Sequence, residues 1–112
     1  MGRRRIYQHY SIPSTVVGLV YAIIKDYPRR KRIVEYSSAL SEAAYTECMR
    51  LNHIVDACVD EEEAILSAII LRDIINQRGY DQSEASAYSS KNKYYNVKNK
   101  LIEDIAFKFD LL

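Results

Sequence analysis

SSKNKYYNVKNKLIEDIAFKFDL, running from Ser89 to Leu111, reads as one helix with two unlike faces in its first half. At about 100° per residue, Tyr94, Val97, Leu101, Ile105, Phe109 and Leu112 share one stripe, while Asn92, Lys93, Asn96, Asn99 and Lys100 point away from it. The apolar stripe is a core face. The opposite face offers three amides and two lysines, able to hydrogen-bond base edges or phosphates, and a single acid, Glu103, a turn beyond Asn99. A helix that reads the DNA major groove carries such groups at its N-terminal end.

The rest of the chain supports a helical setting for this segment. With 112 residues, 48% hydrophobic and 28% charged, it is long enough for one core of ordinary size. Three glycines, two prolines and no tryptophan leave little punctuation for the turns of a β-sandwich or barrel. The expected fold is all-α, a small helical domain with a C-terminal helix-turn-helix.

Net charge is only +1, but it is unevenly divided. Residues 1–32 hold eight bases against Asp26, a net of +7; residues 33–87 hold eleven acids against Arg50, Arg72 and Arg78, a net of −8. From Tyr88 onward, five lysines face three acids, a net of +2. Contact with a polyanion is therefore expected at the two ends, with Arg29, Arg30, Lys31 and Arg32 as phosphate contacts beside the C-terminal helix.

Little in the chain suggests catalysis or a cofactor. Cys48 and Cys58 lie ten residues apart on one predicted helix, about 15 Å along its axis, and so cannot bridge each other. Neither has a partner at metal-ligand spacing, and His9 and His53 are far apart, so no metal is expected. No phosphate-cradling glycine loop or nucleophile motif is present, which argues against an enzyme. The apolar run Val16–Ile24 is too short to span a bilayer and lacks a small-residue cleavage site, so no membrane association and a cytoplasmic setting are expected.

Three regions follow from a pass along the chain. Residues 1–13 read as a flexible basic arm in which Arg3, Arg4 and Arg5 precede Tyr7, His9 and Tyr10. Residues 14–79 read as a helical core and possible oligomerisation region. In it, Ser14 or Thr15 caps a helix ending near Asp26, Pro28 opens a second helix that stops around Ser37 and Ser38, and Ser41 opens a third. Asp60 and Glu63 resemble a capping box ahead of a fourth helix, apolar nearly all round and closed by Gly79, a candidate for self-association. Residues 80–112 read as a helix-turn-helix, with short turns capped by Asp81 or Ser83, a bend at Ser89 and Ser90, and the long final helix.

The segment SKNKYYNVKNKLIEDIA (90–106), with KDYPRRKRIVEY (25–36) upstream, resembles phage and prophage transcriptional regulators of the ArpU and RinA type. That resemblance covers roughly residues 15–112 and implies a C-terminal helix-turn-helix similar to sigma-factor region four. It implies that Ser90, Lys91 and Asn92 form the turn into the recognition helix. Tyr94 and Tyr95 match its paired aromatic step, Lys98 and Lys100 its basic positions, and Ile102, Ile105 and Ala106 its apolar end. The chain departs from the family pattern at EASAYSS (84–90), where a longer helix and a glycine turn would stand.

The expectation is thus a sequence-specific DNA-binding transcriptional regulator contacting double-stranded DNA through Ser90, Lys91, Asn92, Lys93, Tyr95, Asn96, Lys98, Asn99 and Lys100. Each good base contact contributes about 1–3 kcal/mol, so a lone reader discriminates weakly, and a homodimer or RNA polymerase is the expected partner. Two alternatives remain at this stage: a small terminase-like packaging accessory, and an inhibitor that uses its acidic middle to cover a basic partner.

Overall fold

A computed structural model describes residues 12–36, 41–59 and 63–112. The chain is all-helical, and no strand occurs among the described residues. Its elements are α1 (Ser14–Lys25), α2 (Tyr27–Tyr36), α3 (Glu42–Ala57), α4 (Ala64–Ile75) and α5 (Lys91–Lys108), with 3-10 turns at Tyr80–Gln82 and Glu84–Ala87 between α4 and α5. The arm over residues 1–11, the helix stop at Ser37 and Ser38, and the acids Asp60, Glu61 and Glu62 lie outside the described residues.

α1, α4 and α5 enclose the core, and α2 and α3 form a hairpin beside them. α1 contributes Val20 and Ile24, α4 contributes Leu66, Ile69, Ile70 and Ile74, and α5 contributes Tyr94, Leu101, Ile102 and Ile105. The apolar circumference of α4 is explained by this central position, since the helix packs on both α1 and α5. Most of the surface expected to self-associate is spent inside the monomer, although Ile65 remains exposed. Ile12, expected within a loose arm, packs against the core as well.

Helix ends follow local chemistry with two departures. Ser41 caps α3 by accepting from the Ala44 amide at 3.2 Å, and Ser90 caps α5 by accepting from the Lys93 amide at 3.1 Å. Ser14, expected as a cap, is instead the first residue of α1, and the carbonyl of Pro13 accepts from Val16 and Val17. α4 stops at Ile75, before Gly79. There Gln77 takes the left-handed conformation at φ 58°, which lets the Arg78 amide donate back to the Asp73 carbonyl at 2.8 Å. Asp110 does the same after α5, with φ 60° and the Leu111 amide donating to Ala106 at 2.8 Å, which leaves Leu112 exposed beyond the helix.

The α2–α3 interface is polar and centres on Arg30. At 3% exposure, Arg30 donates from Nε to Asn52 Oδ1 at 2.6 Å and from Nη2 to the Ile23 carbonyl at 2.6 Å, and pairs with Asp26 at 3.3 Å. The Asn52 amide continues to the Tyr27 carbonyl at 3.3 Å, and the Tyr27 hydroxyl donates to Asp56 at 2.7 Å. Burial, reinforced by that Asp56 bond, pushes the Tyr27 phenol up to about 12.

Two stability measurements check this reading. Arg30→Ala leaves Asn52 and the Ile23 carbonyl unsatisfied in a closed interface and is expected to destabilise the fold by about 2–4 kcal/mol in urea unfolding, whereas Arg29→Ala, at the surface, leaves the midpoint near wild type. Gln77→Gly removes the cost of a left-handed side-chain residue and is expected to raise stability by about 1 kcal/mol.

Candidate nucleic-acid interface

The route from α4 into α5 is built from small polar residues that satisfy their own backbone. Ser83 is buried and accepts from the Ala85 amide at 3.1 Å, while Ser86 donates its hydroxyl back to the Ser83 carbonyl at 2.8 Å. Arg72 reaches from α4 to Glu84 at 2.7 Å and pins the second 3-10 turn. The Tyr80 hydroxyl donates to the Ser89 carbonyl, closing the loop just before the Ser90 cap. What stands before α5 is therefore a pair of single helical turns.

Tyr94 locks α5 in rotation. Its ring is fully buried, meets Tyr80 edge-on at 5.3 Å and Tyr95 at 5.1 Å, and its hydroxyl donates to Asp73 Oδ2 on α4 at 2.7 Å. Burial, and then the Asp73 bond, raise the pKa of this phenol well above its ordinary value, so it stays a protonated donor. With Tyr94 inward, Lys91, Asn92, Lys93 and Asn96 are exposed along the first two turns, and the first turn of α5 contains no acid.

The expected contact residues fall on two flanks. On one, Lys93 pairs with Glu63 at 3.0 Å, and Asn96 and Lys100 line a 170 Å³ cleft with Cys58, Glu63 and Ser67, where Lys100 also meets Asp104 at 3.0 Å. The expected capping box rests on Asp60, outside the described residues; Glu63 stands immediately before α4 and makes this ion pair. On the other flank, Lys98 lies over the rings of Tyr21 at 5.4 Å and Tyr95 at 5.6 Å, and Asn99 is half-buried. Ser90 is exposed but its hydroxyl is committed to the cap.

The four bases of α2 are divided by the fold. Arg29 is exposed and bidentate to Asp26 at 2.7 and 2.8 Å, which holds the Asp26 carboxyl below its usual range. Lys31 is exposed and sits 4.0 Å from Glu35, and Arg32 is exposed. Arg30, expected as a phosphate contact, is excluded from that role by burial, because all its hydrogen bonds are spent inside the α1–α2–α3 junction. Instead of joining α2, α5 packs on α4, α1 and α3.

The N-terminal bases reach α5 by another path. Lys25, at the end of α1, shares a 320 Å³ cleft with Tyr21, Gln77, Arg78 and Lys98, floored by Asp73. Lys25, Gln77 and Arg78 were not singled out from the sequence, since they lie in segments more than fifty residues apart that the packing of α1 on α4 unites, with α5 adding Lys98.

Cys48 and Cys58 are both free thiols, and burial pushes that of Cys58 up. Among the described residues, no group of three His, Cys, Asp or Glu side chains is placed to hold a metal ion, and no helix is long and apolar enough to cross a membrane. Comparison with family models, curated proteins and solved structures gave no match.

Proposed function

We propose that this chain is a sequence-specific DNA-binding regulator of transcription that inserts the first half of α5 into the major groove of double-stranded DNA. One observation carries the reading: burial of Tyr94 against Asp73 leaves a Ser90-capped, acid-free helix tip with Lys91, Asn92 and Asn96 at its surface. Asparagine amides match the donor and acceptor pair of adenine, and the positive end of a helix with an adjacent lysine suits phosphate. The likeness of residues 90–106 to ArpU- and RinA-type regulators supports the same assignment and a phage or prophage setting. A DNA partner places the action in the cytoplasm.

Within the proposal, roles differ from residue to residue. Asn92 and Asn96 are the base readers, and Lys91 is a phosphate contact at the helix tip. Lys93 and Lys100 reach DNA only by exchanging acidic neighbours, Glu63 and Asp104, for phosphate oxygens. Tyr95 and Lys98 brace the flank of the helix, and the partly buried Asn99 borders the groove. Two base contacts give modest discrimination, so a second copy or RNA polymerase supplies the remainder.

The test is fluorescence anisotropy of wild type and an Asn92→Ala, Asn96→Ala double variant on fragments of the source genome around the gene, at two salt concentrations. Wild type is expected to prefer one fragment and to weaken with salt, and the variant to lose about tenfold or more of that preference while keeping its sequence-independent affinity. Absence of binding to any fragment at low salt, or an unchanged preference in the variant, contradicts the proposal.

A further inference from the structure

The cleft between α1, α5 and the end of α4 is built from three cations of separate segments. Lys25, Arg78 and Lys98 share its 320 Å³ with Tyr21 and the amide of Gln77, and among the described residues none of the three cations is paired with an acid. Its one carboxylate, Asp73, is buried and accepts the Tyr94 hydroxyl through Oδ2. Three like charges converging on one carboxylate leave a net positive site whose cations gain from a bound anion.

Ordinary helix chemistry covers only part of this arrangement. Lys25 and Arg78 sit at the C-terminal ends of α1 and α4, where a base complements the last carbonyls. Lys98 lies in mid-helix with no such end to complement, and is instead held over the Tyr21 ring. Gln77 occupies a left-handed position where glycine carries no strain, and it brings an exposed amide donor to the same cleft.

We infer that this cleft is a phosphate-binding site that seats one backbone phosphate of DNA beside the groove entered by α5. The inference rests on the proposed DNA binding for the source of the phosphate. Lys91, Tyr95 and Lys98 follow one another along the same side of α5, so a strand leaving the cleft passes the helix tip that carries Asn92. The site positions the duplex and does not read it.

The experiment compares wild type, Lys25→Gln with Arg78→Gln, and Arg50→Gln with Lys108→Gln as a charge-matched control outside the cleft, by DNA anisotropy across a salt series and by amide NMR with inorganic phosphate. Both changes in the cleft variant are at exposed positions, and a melting curve confirms that it folds. The cleft variant is expected to weaken binding about equally on every fragment and to flatten the log–log salt slope by about one, with the control variant unchanged. Phosphate is expected to shift the amides of Gln77, Arg78 and Gly79 in wild type.

If wild type binds DNA and the cleft variant keeps the same slope, the cleft inference is overturned and the DNA-binding function stands. If no DNA binds but phosphate shifts the cleft amides, the phosphate site stands, its ligand is a free phosphate, and the DNA function falls. If neither DNA nor phosphate registers, both fall.

Discussion

The hydrogen bond from the Tyr94 hydroxyl to the buried Asp73 carboxylate, at 2.7 Å, fixes the N-terminal end of α5 against α4, while Leu101, Ile102, Ile105 and Ala106 bury the rest of the helix in the core. Asp73 lies on the central helix, and Tyr94 is in the first turn of α5, so the bond sets both the rotation of α5 and its depth. Tyr80 stacks edge-on against the same ring and closes the preceding loop through the Ser89 carbonyl. Losing a buried partner of this kind costs about 1–3 kcal/mol, which is comparable to one base contact. Stability of the core and presentation of the helix tip therefore share one physical origin.

Electrostatics then separates the two sides of that helix. Glu63, immediately before α4, holds Lys93 in an ion pair, and Asp104 holds Lys100 along the same flank. Across the helix, Lys98 is placed by aromatic faces and shares its cleft with Lys25, Arg78 and one carboxylate, the buried Asp73 that accepts the Tyr94 hydroxyl. A polyanion approaching α5 meets less competition on the Lys98 side, because among the described residues Lys98 has no acid partner to exchange. The segmental charges of the sequence are thus resolved into a screened flank and an open one.

How much of this was legible beforehand depended on whether the signal was local. The inward position of Tyr94 and the opening of α3 at Ser41 both follow from spacing of a few residues, and each stands in the structure as the sequence implies. Arg30 was not legible: within RRKR, no local feature marks which base turns inward, and its partners Ile23 and Asn52 are seven and twenty-two residues away. The end of α4 was misread because Gly79 is a strong local stop, whereas the bond from Arg78 back to Asp73 lets the chain turn at Gln77. The basic cleft lies at the far end of this scale, assembled only where α1 meets both α5 and the end of α4.

The most direct test of α5 as the reading helix is a map of DNA contact at residue level, from amide NMR of the full chain titrated with its preferred fragment. The expected result is shifts at Lys91 and Asn92 and in the Asn92 and Asn96 side-chain amides, with α3 and the Arg30 junction undisturbed. Shifts confined to α2 around Lys31 and Arg32, with α5 silent, would contradict it.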